Sequence, residues 1–398
     1  MKTKLLASFL ILSMGNILIQ CTNNPSDSEN SPQTKTNDFL VDSLATPQTV
    51  ALFCNLQTLT KDKFLFGHQE TTAYGVGWVN DGFGNRSDVK DVCGDFPAVY
   101  GWDIGNIGHT TNLDGVPFSQ IKLLMKQAFS RGGVNTISIH LDNPVTDGNA
   151  WDVSTAVARI LPDSSHHKSF VKTLVLIAEF LKDLKTEDGT FVPVILRPFH
   201  EHNGDWFWWG RGPASEQEFI ALWQFTVDYF KNEKNVHNVL YAISPDRSRV
   251  IQPADPGEYL YGYPGNNYVD IIGLDNYFDL GSHWNQAPVQ EQMQSLIKSL
   301  ETVVRLAEER NKISALTETG LDKLQIADWW TNRLLAGINA NEFTRGIAYA
   351  LVWRNANTGH FHAPYPGQAS AADFVTFYND SITVFESDLP EMYKTDSE

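Results

Sequence analysis

The chain is poor in cysteine and in positive charge, and it has no apolar run long enough to span a membrane comfortably. Only 3 of its 398 residues are cysteine, and their spacing is not that of a metal site. Lysine and arginine total 30 against 47 acidic residues, which gives a net charge of −17. This balance argues against nucleic acid or an anionic membrane surface as a partner.

The N-terminus has the pattern of an export signal. Two lysines precede an apolar stretch over residues 5–19. Gly15 and Asn16 interrupt this stretch, which is already short for a transmembrane helix. We therefore predict a signal peptide over residues 1–20 and an exported protein.

A lipid anchor is predicted directly after the signal. Leu-Ile-Gln-Cys at residues 18–21 resembles a bacterial lipoprotein cleavage box, so Cys21 is the candidate for lipidation. Residues 21–38 are rich in Asn, Ser, Thr and Pro and predict a disordered tether. We expect a mature protein held in the cell envelope, on the periplasmic or the outer face; plain secretion is the alternative. The remaining Cys54 and Cys93 either pair or stay as two buried thiols.

The rest of the chain alternates between strand and helix patterns. Continuous apolar runs rich in β-branched residues favour strands buried on both faces, as in a parallel sheet. The predicted strands cover residues 64–68, 98–103, 135–140, 192–200, 239–244, 271–277, 314–318 and 347–354. Helical periodicity follows over residues 169–185, 215–231, 289–310 and 325–339, while the Pro- and Gly-rich residues 245–270 hold at best a short helix. We predict one (β/α)8 TIM barrel over residues 39–390, an α/β fold without a second domain or repeats.

Polar side chains gather where these strands end, which is the face of such a barrel that holds the active site. A ring of His, carboxylate and aromatic groups suits a polyol ligand. Its members are His68, Gln69, Glu70, Asp103, His140, Asp142, His200, Glu201, Asp246, Asp275, Tyr277, Glu318, Trp353 and Arg354.

Glu201 and Glu318 stand out in this ring because each ends a buried run, in VPVILRPFHE and ISALTE. Two carboxylates at the exits of two barrel strands are the layout of a retaining glycosidase. The acid of the pair needs a raised pKa, which the aromatic cluster after Glu201 and the Glu318 carboxylate would supply. Arg197 and Tyr277 are candidate donors that keep Glu318 ionised. The tryptophans after Glu201 offer flat faces for sugar rings.

RPFHEHNGDWFWWG resembles the acid/base segment of glycoside hydrolase family 26, chiefly β-mannanases. FLFGHQETTAYG resembles the first strand of that family, TETG its nucleophile strand and LVWRN its last strand, so the resemblance runs from about residue 40 to 385. It implies a retaining (β/α)8 enzyme with Glu201 as acid/base and Glu318 as nucleophile. It also implies sugar subsites lined by His200, Trp206, Tyr277, Trp353 and Arg354, together with His140, Asp275 and Arg197.

The expected substrate is therefore a β-1,4-linked mannan, glucomannan or galactomannan, cleaved internally or with release of mannobiose. Two loops, residues 77–91 and 148–167, are long enough to close one end of a cleft. We expect a monomer that uses no cofactor or metal and contacts a membrane only through its lipid anchor.

Three alternatives stay open at this point. The same mechanism could act on another β-linked glycan, such as β-1,3-xylan or mixed-linkage glucan. The His200-x-His202 pair could belong to a metal-dependent hydrolase, although the fifth and sixth strands end without histidine. The third alternative is a surface glycan-binding lipoprotein without catalysis.

Overall fold

A computed structural model describes residues 39–60, 62–80 and 82–394, and it confirms the predicted barrel. Each barrel strand pairs in parallel with the next one along the chain, and the eighth pairs with the first, so the sheet closes on itself. The strands are β1 Phe64–Gln69, β2 Val99–Asp103, β3 Val134–Ser138, β4 Val194–Arg197, β5 Val239–Ile243, β6 Ile271–Asn276, β7 Ile313–Thr319 and β8 Ile347–Val352. Every residue of these strands is buried, because helices cover the outside and side chains fill the inside.

Helices connect most of the strands. They are α1 Pro47–Leu59, α2 Asp88–Cys93, α3 Phe118–Ser130, α4 Val157–Ile160, α5 His167–Asp183, α6 Glu216–Asp228, α7 Pro256–Tyr259, α8 Val289–Arg310, α9 Ala336–Ile338 and α10 Ala371–Tyr378. Local signals account for several ends. Ser215 and Glu218 form a capping box at the start of α6, and Asn311 ends α8 in the left-handed conformation. The short α7 lies in the Pro- and Gly-rich residues 245–270, where at best a short helix was expected.

The predicted helix over residues 325–339 is wrong in its first part. Residues 326–328 form a bend and a turn, so the helix starts later than predicted. A π-helix runs over Trp330–Leu335 and continues into α9. Its start is held from outside, since the Asp373 carboxylate of α10 accepts hydrogen bonds from the backbone N–H groups of Trp330 and Thr331, at 2.9 and 3.1 Å. These contacts come from a distant segment, so local periodicity does not reveal them.

Helix α1 closes the bottom of the barrel and was not predicted. Thr46 caps it and Pro47 occupies its first turn. Its buried Leu52, Phe53 and Leu56 belong to the same apolar cluster as the side chains of the barrel interior. Because this end is plugged, only the opposite mouth, where the strands end, is free to form a site.

The predictions about the N-terminal part of the chain and about the cysteines have different outcomes. The signal peptide, Cys21 and the tether lie outside the described residues. Among the residues that are described, no helix has both the length and the apolar character needed to cross a membrane.

Cys93 is a free, half-buried thiol. The suggested Cys54–Cys93 disulfide is therefore absent. Burial raises the pKa of the Cys93 thiol to about 12.

Candidate active site

Glu201 reaches the mouth of the barrel through a turn. Strand β4 stops at Arg197, three residues before the predicted end, and the chain then turns so that Glu201 takes a positive φ of 53°. Its backbone N–H donates to the Ser244 carbonyl at 2.7 Å, which anchors the turn to the next strand. The indole N–H of Trp206 donates to Glu201 Oε2 at 2.7 Å and orients the carboxyl group.

Glu318 lies within β7, one residue before its end, and its side chain is buried. Arg197 Nη2 donates to Glu318 Oε1, and the Tyr277 hydroxyl donates to Oε2 at 3.0 Å. Both predicted donors are therefore in place. The carboxylate thus has one donor at each oxygen, a guanidinium and a hydroxyl group.

The two carboxyl groups face each other across the mouth. Oxygens of Glu201 and Glu318 lie within 4.8 Å of each other. Retaining glycosidases place their carboxyl groups about 5–5.5 Å apart, whereas inverting ones need about 6.5–9.5 Å to admit a water molecule. The spacing therefore fits direct attack by one carboxylate on the anomeric carbon of a sugar while the other carboxyl group protonates the glycosidic oxygen.

The environment of Glu201 favours its protonated form. Burial raises the pKa of Glu201 well above its ordinary value, and the negative charges of Asp246, Glu318 and Asp275 add to the rise. The hydrogen bond from Trp206 acts in the opposite direction but is a smaller effect. The sequence predicted burial and Glu318 as causes, and the contribution of Asp246 comes from the structure. The two carboxyl groups of the pair thus lie in different surroundings.

Arg197 and Asp275 form the floor beneath Glu318. The Asp275 carboxylate accepts from Arg197 Nη1, at 2.9 Å to its nearer oxygen, and from the hydroxyl groups of Ser244 and Thr317. Only 2% of Arg197 and none of Asp275 is exposed. That these two side chains line the sugar subsites stays a prediction; a carboxylate oxygen of Asp275 lies within 4.8 Å of oxygens of both Glu201 and Glu318. The two side chains hold Glu318 in position from below.

Two histidines lie against each other at the mouth, and their surroundings shift their pKa values in opposite directions. His140 Nδ1 lies 2.7 Å from Asp103 Oδ2. Burial alone would lower the pKa of His140, but the charge of Asp103 and its hydrogen bond raise it overall. Burial lowers the pKa of His200, with the nearby His140 and Arg197 adding to the effect. The two rings meet edge to face at 4.7 Å.

Of the aromatic residues after Glu201, three pack in the core and one, Trp206, borders the site. Trp208 and Trp209 are buried in the core together with Phe207, so the expectation that these two tryptophans offer faces to sugar is wrong. Trp209 donates its indole N–H to the His200 carbonyl at 2.9 Å and fixes the turn that carries Glu201. Trp206 is half-buried beside Glu201, with the Arg249 guanidinium 5.1 Å above its ring.

His202 does not join His200 in a metal site. Its Nε2 lies 2.7 Å from the Tyr261 carbonyl, and its ring stacks on Phe219 at 4.3 Å. The side chain of His202 is thus engaged in packing against α6, and the pair predicted for a metal-dependent hydrolase does not converge.

A further part of the mouth lies around Trp353 and Arg354, which follow β8. Arg354 Nη2 pairs with Asp114 Oδ1 at 3.1 Å, and the Tyr74 hydroxyl donates to Asp114 Oδ2 at 2.9 Å. Trp353 is half-buried with its ring 6.0 Å from that of His140. Trp151, which sequence reasoning missed, stacks on His140 at 5.0 Å and is 49% exposed. It lies in a long loop without periodicity, although that loop was marked for its length.

Comparisons with known proteins agree with this geometry. A model of glycosyl hydrolase family 26 matches residues 41–338. The mannan endo-1,4-β-mannosidase of Bifidobacterium adolescentis is 33% identical over 370 residues, which are 86% of this chain and 35% of that protein. The chain thus spans about a third of the length of this curated relative.

Solved structures of family 26 enzymes are also similar to this chain, over the full length of the barrel. The family 26 β-mannanase of Bacteroides ovatus is 39% identical, with a TM-score of 0.81, over 89% of this chain and 99% of that one. The modular endo-β-1,4-mannanase of Cellulomonas fimi is 35% identical, with a TM-score of 0.82, over 89% of this chain and 79% of that one. The barrel, the carboxylate pair at its mouth and these matches together establish that the chain belongs to glycosyl hydrolase family 26.

Proposed function

We propose that this chain is a retaining glycoside hydrolase that cleaves β-1,4-mannosidic bonds of mannan, glucomannan or galactomannan. The observation that carries the proposal is the carboxylate pair, with oxygens of Glu201 and Glu318 within 4.8 Å. Glu318 is held by two donors, while the pKa of Glu201 is raised by burial and nearby carboxylates. This difference between two adjacent carboxyl groups is what double displacement requires.

In the first step a sugar ring lies between the two glutamates. Glu201 gives its proton to the glycosidic oxygen, and Glu318 attacks the anomeric carbon as that C–O bond breaks. The product is a glycosyl ester on Glu318 and a leaving sugar with a free hydroxyl group. Positive charge that develops on the ring is stabilised by the Glu318 carboxylate before the new bond is complete.

The second step reuses Glu201 as a base. Ester formation removes the negative charge of Glu318, which is one of the causes that raise the pKa of Glu201. The pKa of Glu201 therefore falls once the intermediate forms, and its carboxylate takes a proton from water. That water attacks the anomeric carbon and releases Glu318, so the configuration of the sugar is retained.

The choice of mannan as substrate rests on the relatives. The Bifidobacterium, Bacteroides and Cellulomonas proteins are all named as β-mannanases. These names favour mannan over β-1,3-xylan or mixed-linkage glucan. The paired glutamates, one with a raised pKa and the other held by two donors, favour catalysis over a purely glycan-binding role.

The stereochemical course of hydrolysis tests this proposal. We expect proton NMR of the earliest products from manno-oligosaccharides to show the β-anomer, before mutarotation adds the α-anomer. A first product in the α-configuration would overturn the mechanism. Hydrolysis of xylan or glucan without hydrolysis of mannan, on a panel of polysaccharides, would overturn the substrate and leave the mechanism.

Trp206 is expected to matter through both its ring and its N–H group. Trp206→Ala removes a flat apolar surface beside the scissile bond and the hydrogen bond to Glu201, so kcat on mannan should fall at least about tenfold, on the order of 1.4 kcal/mol. Trp206→Phe keeps an aromatic face and loses only the hydrogen bond, so it should lie between Trp206→Ala and the wild type. Steady-state kinetics check this order, and circular dichroism verifies the fold. Equal activity in all three proteins would contradict the assignment.

The pH dependence of kcat/KM should be bell-shaped, with an alkaline limb set by Glu201. A general acid works only while protonated, and its raised pKa keeps it protonated to a higher pH than an ordinary carboxyl group. Because the charge of Asp246 is the second cause of that rise, Asp246→Asn should move the alkaline limb to lower pH. Asparagine preserves the cap that Asp246 provides to Ser248 N–H. An alkaline limb that stays in place would show that Asp246 does not act on Glu201.

The lipid anchor at Cys21 remains a proposal, supported by the sequence of residues 18–21. We expect Cys21→Ala to release the protein from membranes of an expressing bacterium with unchanged specific activity. Cys93→Ala is the matched control, because Cys93 is a free thiol of the barrel and the variant should stay in the membrane fraction. A mature N-terminus at another residue, without lipid by mass spectrometry, would favour plain secretion.

A further inference from the structure

A second cluster of metal-ligand side chains lies beside the mouth of the barrel. Asp322 belongs to the loop after β7, and His360 and His362 belong to the loop after β8. One ligand atom from each lies within 4.8 Å of the other two. His360 Nδ1 is already 3.3 Å from Asp322 Oδ1. Two imidazoles and a carboxylate are a donor set that suits Zn²⁺ and neighbouring transition metals.

The backbone brings these two loops together without a ligand. The Lys323 N–H donates to the Phe361 carbonyl at 2.8 Å, so each loop is fixed to the other between the candidate ligands. Gly320, Lys323 and Leu324 all have positive φ, at 140°, 63° and 43°. Two non-glycine residues in this region are costly, and such backbone occurs where the surroundings hold a particular side-chain arrangement. Asp322 is the side chain that this segment presents to the histidines.

The carboxylate of this cluster has an acceptor atom without a hydrogen bond. Asp322 Oδ1 is shielded from solvent and makes no hydrogen bond among the described residues, although His360 Nδ1 lies 3.3 Å from it. The His362 side chain beside it is buried. A metal ion between these atoms would use an oxygen that no donor of the protein satisfies.

Nearby positive charge is largely engaged elsewhere. Arg354 lies close enough to affect both histidines, but its guanidinium pairs with Asp114 at 3.1 Å. Lys323 Nζ is 3.8 Å from the other oxygen of Asp322, and both side chains are about half exposed there. An exposed pair at that distance contributes little and does not block a metal ion.

We propose that Asp322, His360 and His362 bind one divalent transition-metal ion, Zn²⁺ above all, which ties the loop after β7 to the loop after β8. In a tetrahedral site with bonds of about 2.0–2.2 Å, ligand atoms lie roughly 3.3–3.6 Å apart. The His360–Asp322 pair already has that separation, and a ligand atom of His362 lies within 4.8 Å of both. A water molecule completes the coordination.

The site is distinct from the catalytic pair and gives the ion a structural role. The His362 ring lies 5.9 Å from that of Tyr277, the hydroxyl of which donates to Glu318. The ion therefore holds a loop that packs on Tyr277, while the reacting carboxylates stay free of it. Because the ion binds the folded chain, it should raise the melting temperature.

Metal content and thermal stability test the proposal without relying on catalysis. Tag-free protein is stripped with a chelator, incubated with Zn²⁺ and passed through a desalting column. We expect one Zn²⁺ per chain by elemental analysis and a higher melting temperature than in the stripped protein. Asp322→Asn and His362→Gln should each weaken Zn²⁺ binding by more than about tenfold in calorimetric titration, since even a partner outside the first coordination sphere costs 10–100-fold when lost.

Two matched variants separate this site from other sources of binding. His283→Ala removes an exposed histidine elsewhere and should leave the Zn²⁺ content at one. Glu201→Gln removes a ligand from the other carboxylate cluster, formed with Asp275 and Glu318, and should also leave it at one. No retained Zn²⁺ in the wild type, undiminished Zn²⁺ in Asp322→Asn and His362→Gln, or loss of Zn²⁺ in Glu201→Gln would each overturn the proposal. Circular dichroism confirms that the variants are folded.

Discussion

Replacing Glu318 with glutamine is expected to lower kcat on mannan by at least about 10⁴-fold, since removal of a nucleophile in other enzymes costs roughly 10⁴–10⁶-fold. Glutamine fills the same space in β7, but its amide is a very poor nucleophile and carries no charge to stabilise the transition state. Single-turnover assays on an activated mannoside would measure the first step directly. Substrate should still bind, so KM should change far less than kcat.

Glu342→Gln is the matched control for this variant. It makes the same chemical change at an exposed glutamate in the loop before β8 and should keep full activity. Equal activity of Glu318→Gln and wild type would remove Glu318 from the mechanism. Strong loss in Glu342→Gln would show that the preparation, and not the nucleophile, causes the difference.

Arg197→Met should destabilise the fold by about 3–5 kcal/mol, the usual result of removing one partner of a buried ion pair. Arg197 is buried and donates to both Asp275 and Glu318, so its loss leaves two carboxylates close together without a countercharge. At least one of them then takes up a proton. The acid limb of the pH profile should move to higher pH, because Glu318 must be ionised to act.

Urea unfolding and the pH dependence of kcat/KM measure the two effects of Arg197→Met. Arg345→Met is the control, as this exposed arginine bonds only to Asn339 among the described side chains, at 2.7 Å, and should cost little stability. A second variant, Arg197→Lys, keeps the charge but loses the two-armed geometry, so it should recover part of the stability. Unchanged stability in Arg197→Met would mean that water or a rearranged side chain replaces the guanidinium.

The barrel was predictable because its signals are local. Continuous apolar runs such as Val239–Ile243 predict strands buried on both faces, and α8 has the bounds that its helical periodicity predicts. The catalytic candidates were predictable for a related reason. A strand that ends in a carboxylate places it at the mouth in any parallel barrel, so Glu201 and Glu318 were expected to face each other before their distance was known.

Burial of particular side chains was not predictable in the same way. Trp206 and Trp209 lie three residues apart in one motif, yet the first borders Glu201 and the second is enclosed in the core. Asp275 lies one residue before the end of its strand, as Glu318 does, but its carboxylate is fully buried against Arg197. Which way each side chain turns depends on neighbours from other strands, and the sequence pattern contains no information on their register.

The sequence by itself determined the fold class and the acid/base and nucleophile candidates, because periodicity and short motifs express them within a few residues. Tertiary structure alone decided what depends on contacts between distant segments. It set Arg197 between Asp275 and Glu318, placed Asp246 where its charge raises the pKa of Glu201, and brought Asp322 to His360 and His362. These arrangements arise only when the barrel closes, since closure is what brings the loops after different strands within hydrogen-bonding distance of one another.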